Sequence, residues 1–179
     1  LGFIGGLVLG MVNAFSKTVK PALAIAYAAF QGLALGTLSQ LYNTVYDGIV
    51  SQAILVTISA FAGMLFAYKS GRIRVTPKFT KVLTTALIGY LVLALVSFVA
   101  FLFTGSSVYN VGGLGLIIAT GGMVLAAFFL ILDFDSIQNG IAAGAPESES
   151  WRAAFGLMVT IIWLYMEVLR VLSILRGND

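Results

Sequence analysis

The chain contains runs of uncharged, mostly apolar residues that are long enough to cross a lipid bilayer. The clearest run, Val82–Thr104, holds 23 residues without a single Asp, Glu, Lys or Arg. A helix needs about 20 apolar residues to span the hydrocarbon core, because each residue adds about 1.5 Å of rise. Only 9% of the residues are charged, whereas a typical soluble domain has about 25%. These features predict an integral membrane protein built of transmembrane α-helices.

Six hydrophobic segments follow one another along the chain, and short polar loops separate them. The predicted segments are Leu1–Ala14, Pro21–Leu41, Ile49–Tyr68, Val82–Thr104, Val111–Asn139 and Ala153–Leu175. We interpret the first as the second half of a helix whose beginning precedes Leu1. No Pro-rich or Ser-rich linker, charge block or strong repeat divides the sequence. We therefore expect one transmembrane helical domain over residues 1–179.

The basic residues are concentrated in alternate loops, which predicts how the chain is oriented in the membrane. Eight of the ten Lys and Arg residues lie in Phe15–Lys20, in Lys69–Lys81 and at Arg152. The intervening loops, Tyr42–Gly48 and Gly105–Asn110, contain none. Loops rich in Lys and Arg remain on the cytoplasmic side during insertion. We therefore expect the three basic loops to be cytoplasmic.

The amino-acid composition excludes several classes of function. The chain has no cysteine and no histidine, so it cannot use a thiolate metal site, a disulfide or an imidazole base. Its net charge of +3 is not arranged as a basic stripe interleaved with aromatic residues, so nucleic acid is not an expected partner. We predict that the protein is not an enzyme and carries no cofactor.

Glycine pairs spaced four residues apart predict close contacts between helices, because small residues let two backbones approach. The pairs are Gly6/Gly10, Gly32/Gly36 and Gly140/Gly144. We interpret them as contacts within one chain, and a dimer interface is the alternative.

Four charged residues lie within or at the end of the last two segments, where charge is costly and often functional. Asp133 and Asp135 lie near the end of the fifth segment, and their spacing points them to different faces of a helix. Glu167 lies well inside the sixth segment, and Arg170 follows three residues later, so the two can form an ion pair. The alternatives are solvated acids at a helix end and an ion pair with a purely structural role.

Two carboxylates that meet in a dry site form a switch that needs no histidine. Like charges in close contact cannot both ionise easily, so such a pair holds a proton between its members. The same oxygens also suit a hard cation such as Ca²⁺. If Asp133 and Glu167 meet in the bundle, they can exchange a proton for a cation.

The sequence around these acids resembles the Bax inhibitor-1 family, also called the transmembrane Bax inhibitor motif (TMBIM) family, in its bacterial YetJ/YccA-like branch. Ile131–Ile137 is similar to the family pattern Leu-Phe/Tyr-Asp-x-x-x-Ile, with Asp133 at the Asp. Leu164–Glu167 and Ile174–Arg176 resemble the last-helix motifs, with Glu where the family has its second Asp. Tyr27–Gly36 resembles the Gly-rich helix of the family.

The resemblance implies a seven-helix bundle with a central last helix, of which this chain holds about six segments. It also implies a pH-sensitive calcium leak channel of the bacterial inner membrane, gated by a carboxylate pair. By the resemblance Asp133 and Glu167 would sense ions and protons and would be ligands of the transported Ca²⁺. We add Asp135 and Arg170 to the predicted ion- and proton-sensing residues because they are the neighbouring charges in the same segments. Lys17 or Lys20 would stand for the basic partner of the family. The expected partners are the lipid bilayer, cations and protons.

Other bacterial relatives in this branch suggest a different function, a non-conducting regulator that binds and restrains a membrane-bound protease. The spacing from Asp133 to Glu167 is also longer than the family pattern leads us to expect. We predict that the extra residues form a polar loop over Asn139–Arg152. If the last helix enters the membrane near Phe155, Glu167 lies about 18 Å deep, so contact with Asp133 requires tilt, bending or a water-filled vestibule.

Overall fold

The computed structural model describes residues 2–16, 19–105 and 112–177, which form six helices and no strand. The helices are α1 (Gly2–Phe15), α2 (Pro21–Val45), α3 (Ile49–Lys69), α4 (Pro77–Thr104), α5 (Gly112–Ala142) and α6 (Ser148–Gly177). Helices α2 to α6 are each long and apolar enough to cross a membrane, and α1 is a shorter apolar helix. The predicted all-α polytopic membrane bundle is therefore confirmed.

Several helices extend beyond the apolar segments from which they were predicted. Helix α2 ends at Val45 instead of Leu41, α4 begins at Pro77 instead of Val82, α5 ends at Ala142 instead of Asn139, and α6 begins at Ser148 instead of Ala153. A helix ends where its terminal backbone groups find other partners, not where hydrophobicity stops. The predicted polar loop Asn139–Arg152 is therefore wrong in length, because only residues 143–147 separate α5 from α6.

Some sequence predictions fall on residues outside the described ranges. Lys17, part of the first basic loop and one counterpart of the family's basic partner, is one of them. Most of the loop Gly105–Asn110 and the predicted start of the fifth segment at Val111 are others. The described part of α5 begins at Gly112.

Thr76 explains why α4 begins five residues before its apolar run. Its Oγ1 accepts a hydrogen bond from the Phe79 backbone N–H at 3.1 Å, and Pro77 occupies the first helical position. We expect Thr76→Ala to lower the free energy of unfolding by about 1 kcal/mol, because an N-terminal backbone donor loses its partner. Thermal unfolding in detergent measures the change.

Thr80→Ala provides the control for Thr76→Ala. Its hydroxyl donates to the Thr76 carbonyl oxygen at 3.3 Å, which is already the acceptor of a helical backbone bond. Alanine also has the higher helix propensity, so this substitution should be close to neutral. An equal loss of stability in both variants would show that Thr76 has no capping role.

The last helix contributes to the main core of the described bundle. Helix α6 packs against α2, α3 and α5. Buried side chains of α3, α5 and α6 form the main core, which consists of Ile49, Ala53, Ala126, Leu130, Phe134, Leu164, Val168 and Leu169. Leu130 and Phe134 are four residues apart, as are Leu164 and Val168, so each helix presents one face to the core.

Two long-range hydrogen bonds show which loops lie at the same end of the bundle. The Arg152 guanidinium donates to the Ser16 carbonyl oxygen at 3.4 Å, which joins the start of α6 to the end of α1. The Arg176 guanidinium donates to the Asp47 carbonyl oxygen at 2.7 Å, which joins the end of α6 to the loop between α2 and α3. The basic position Arg152 therefore lies at the end opposite Asp47, as strict alternation requires.

Only one of the three predicted glycine pairs lies at a close helix contact. A Cβ added at Gly6 or Gly10 would lie 3.0 Å from Gln31 or 3.3 Å from Tyr27, both on α2. Among the described residues, nothing lies within 4 Å of a Cβ built on either glycine of the Gly32/Gly36 pair. Gly144 follows the end of α5 with a φ of 67°, where a left-handed residue favours glycine, so its predicted packing role is wrong.

Candidate functional site

A cavity of about 580 Å³ lies between α4, α5 and α6, and two of the three acids predicted for the site line it. Asp133 reaches it from α5, and Glu167 and Arg170 reach it from α6. The other polar or aromatic contributors are Tyr90, Phe129, Phe155, Thr160 and Trp163. The bundle therefore brings Asp133 and Glu167 to one space, although they come from different helices.

Glu167 is the most deeply buried charge in the described bundle, with 3% of its surface exposed. One guanidinium nitrogen of Arg170 donates to both of its oxygens, at 3.0 and 2.9 Å. Tyr90 donates a short hydrogen bond to Oε1, and the Trp163 indole N–H donates to the same atom at 3.3 Å. The buried charge of Glu167 is thus compensated by one cation and two neutral donors.

Tyr90 joins the outer helix α4 to this ion pair. Besides its bond to Glu167, its hydroxyl oxygen accepts a hydrogen bond from Arg170 at 3.2 Å. Its ring lies directly over Gly122 of α5, where an added Cβ would be 2.8 Å from the hydroxyl oxygen. The ring also packs against Trp163, with centroids 5.6 Å apart. The absence of a side chain at Gly122 therefore lets Tyr90 pass over α5 and reach α6.

Asp133 has a different environment from Glu167. Thr160 of α6 lies beside its side chain, and the Thr160 hydroxyl donates to the Gly156 carbonyl oxygen at 3.2 Å. A Cβ added at Gly156 would lie 3.9 Å from its Oδ1. Its Oδ2 is buried and accepts no hydrogen bond within the described part of the chain. Asp133 therefore has a neutral neighbour on α6 and no cation of the kind that Glu167 has in Arg170.

The two acids lie at different levels of the cavity. Thr160, the neighbour of Asp133, precedes Glu167 by seven residues on α6, which corresponds to about 10 Å along the helix axis. Trp163 lies between these levels. The sequence left open whether Asp133 and Glu167 meet. In the structure each carboxyl group has its own neighbours, and one cavity is lined by both.

Asp133 and Glu167 were also predicted as ligands of a transported Ca²⁺ ion. Calcium takes about six to eight oxygen ligands. Over residues 2–16, 19–105 and 112–177, no group of three or more Asp, Glu, His or Cys side chains could hold a metal ion. The role of Asp133 and Glu167 as ligands of a transported Ca²⁺ stays a prediction.

Asp135 lies outside the cavity, on another face of α5, as its spacing from Asp133 predicts. Its Oδ1 accepts a hydrogen bond from the Tyr68 hydroxyl at 3.2 Å, and its Oδ2 accepts one from the Asn139 amide at 2.8 Å. The Tyr68 contact ties the end of α3 to α5. This placement separates Asp135 from the other three residues predicted for the site.

Sequence reasoning missed Tyr90, Thr160 and Trp163. Trp163 precedes Glu167 by four residues, so helical spacing alone could have identified it as a neighbour. Thr160 lies one turn earlier on the same side. Tyr90 had no such signal, because it lies on another helix in an apolar run and its partner depends on how α4 packs.

A protein-family model matches almost the whole chain. The family model described as Bax inhibitor 1 like matches residues 1–177. No curated protein and no solved structure matches the chain. The matched range includes both carboxyl groups of the cavity and the helices that carry them.

Proposed function

Because this chain belongs to the Bax inhibitor 1-like family, we propose that it is a pH-sensitive calcium leak channel gated by Asp133, Glu167 and Arg170. The observation that carries the proposal is the single cavity lined by both carboxyl groups between α4, α5 and α6. The proposed location is the bacterial cytoplasmic membrane, with the basic loops in the cytoplasm. The proposal assigns no enzymatic activity, in keeping with the absence of His and Cys.

The proposed gate is the contact between the Glu167–Arg170 pair and Tyr90. While Glu167 is ionised, its bonds to Arg170 and Tyr90 hold α4 against α6. A proton on Glu167 removes the negative charge and weakens both bonds, because hydrogen bonds to ionised groups are the stronger ones. The α4–α6 contact then loosens and the cavity widens. Asp133 supplies a carboxylate to the entering cation. Flux therefore rises as the pH falls.

Calcium flux into liposomes that contain the purified protein tests the proposal. We expect Glu167→Gln, which mimics the protonated acid, to leak at neutral pH as the native protein does at acidic pH, with little remaining pH response. Asp133→Asn should lower flux severalfold at both pH values, because the cation loses its charged ligand. Asp135→Asn is the matched control and should keep the native pH response, since Asp135 lies outside the cavity.

Two results decide against this assignment. Native flux and native pH response in both Glu167→Gln and Asp133→Asn would remove both residues from the gate. An equal loss of the pH response in Asp135→Asn would show that the response does not depend on the acids inside the cavity. Protein-free liposomes give the background leak for each comparison.

The alternative function, restraint of a membrane-bound protease, is favoured by a different observation. The segment between α3 and α4 exposes Arg72 and Arg74, and the neighbouring Lys69, Lys78 and Lys81 are also exposed. This basic surface can contact an acidic partner without any permeation path. Co-purification of a protease, its loss on changing Arg72 and Arg74 to Glu, and the absence of calcium flux would together favour this function.

A further inference from the structure

The cavity between α4, α5 and α6 combines apolar walls with one carboxyl group that forms no ion pair with any described residue. Glu167 and Arg170 form an ion pair at 2.9 Å, so their charges cancel. Asp133 has the neutral Thr160 as its neighbour, and its buried Oδ2 accepts no hydrogen bond in the described chain. With all three groups ionised, the cavity carries a net charge of −1. Such a cavity attracts a cation and disfavours an anionic headgroup.

Aromatic side chains lie one helical turn from Asp133. Phe129 precedes it by four residues on α5, so both lie on the same side of that helix. The Phe129 ring packs against Trp163, with centroids 5.9 Å apart, and both rings line the cavity. A small molecule whose charged group binds Asp133 can therefore also contact the aromatic rings of Phe129 and Trp163.

We propose that this cavity binds a small hydrophobic amine, with its ammonium group at Asp133 and its apolar body against Phe129 and Trp163. An ammonium group satisfies one carboxylate by hydrogen bonding and is attracted by aromatic faces. A resident Ca²⁺ ion instead takes about six to eight oxygen ligands. The volume of about 580 Å³ lies within the usual range for small-molecule sites. This inference goes beyond the proposed channel, because such binding requires no ion conduction.

Binding to the protein in nanodiscs of neutral lipid tests the site. The probe is phenylbutylamine, and phenylbutanol is its uncharged counterpart. The chain has two tryptophans, so a Trp151→Phe background leaves Trp163 as the reporter of binding by fluorescence. Asp133→Asn and the matched control Asp135→Asn are compared in that background.

We expect the amine to bind more tightly than the alcohol in the reference protein and in Asp135→Asn. In Asp133→Asn the amine should bind roughly tenfold more weakly, which corresponds to the loss of one charge-assisted hydrogen bond. The alcohol should bind with similar affinity to all three proteins. Equal affinities of amine and alcohol, or equal amine affinities in the two Asp→Asn variants, would overturn the proposal.

A cavity-filling variant keeps the proposal testable if Asp133→Asn fails to fold. Ala94 lines the cavity from α4, and Ala94→Phe reduces its volume without changing any charge. We expect this variant to weaken amine binding severalfold, and unchanged binding would place the amine elsewhere. The binding assay measures no calcium flux. A failed flux experiment therefore contradicts only the proposed channel, and a failed binding experiment contradicts only the proposed amine site.

Discussion

Replacing Arg170 with Met is expected to lower the free energy of unfolding by about 3 kcal/mol, because Glu167 stays buried without its cation. Glu167 is only 3% exposed, and its two remaining donors, Tyr90 and Trp163, are neutral. Methionine retains much of the apolar stem of arginine, so the main loss is the charge and its hydrogen bonds. Denaturant unfolding in detergent, followed by tryptophan fluorescence, measures the change.

Two further variants show whether the loss comes from the uncompensated charge. The double variant Arg170→Met with Glu167→Leu should recover most of the stability, since an apolar replacement of a buried ion pair is often nearly neutral. Arg176→Met, on the same helix, removes an exposed bond to the Asp47 carbonyl oxygen and should cost less than about 1 kcal/mol. Equal losses in Arg170→Met and Arg176→Met would contradict the burial argument.

The contacts predicted correctly from sequence are those between residues of the same helix, because the helical repeat of about 3.6 residues per turn determines which side chains are neighbours. The Glu167–Arg170 pair needed only a spacing of three residues, and the structure contains that pair. The opposite directions of Asp133 and Asp135 likewise followed from their spacing. The membrane bundle itself was predictable because runs such as Val82–Thr104 are long enough to cross a bilayer as helices, which satisfy their own backbone hydrogen bonds in lipid.

The contacts that sequence could not predict depend on how helices pack side by side. Asp133 and Glu167 were both placed inside the bundle, yet their relative level depends on the axial register of α5 against α6. A hydrophobic run does not specify that register, because apolar side chains at many offsets pack about equally well in lipid. The sequence therefore left open whether the two acids meet, and in the structure they line one cavity with separate neighbours.

The predicted helix ends were also inaccurate, because single residues near each end determine where a helix begins or stops. Hydropathy marks the part of a helix in hydrocarbon, whereas Thr76, Pro77 and Gly144 determine where helices begin and end. The segment between α5 and α6 is short for this reason. The sequence interval from Asp133 to Glu167 consequently consists mostly of helix.

Gly122→Ala is expected to lower the free energy of unfolding by about 1–3 kcal/mol, because the new methyl group occupies the position of the Tyr90 ring. The added Cβ would lie 2.8 Å from Cε2 and the hydroxyl oxygen of Tyr90. The ring must shift, and its bonds to Glu167 and Arg170 weaken as it does. Thermal unfolding gives the stability, and the same variant should leak more calcium at neutral pH if Tyr90 holds the gate.

The neighbouring glycine provides a matched control, because it differs from Gly122 only in the direction it faces. Among the described residues nothing lies within 4 Å of a Cβ added at Gly121, so Gly121→Ala should be neutral or stabilise the helix by about 0.5–1 kcal/mol. In a Tyr90→Ala background the obstruction at Gly122 is gone, and Gly122→Ala should behave like Gly121→Ala. If Gly122→Ala remains destabilising in that background, its cost does not come from Tyr90, and the link between α4 and the buried ion pair loses its support.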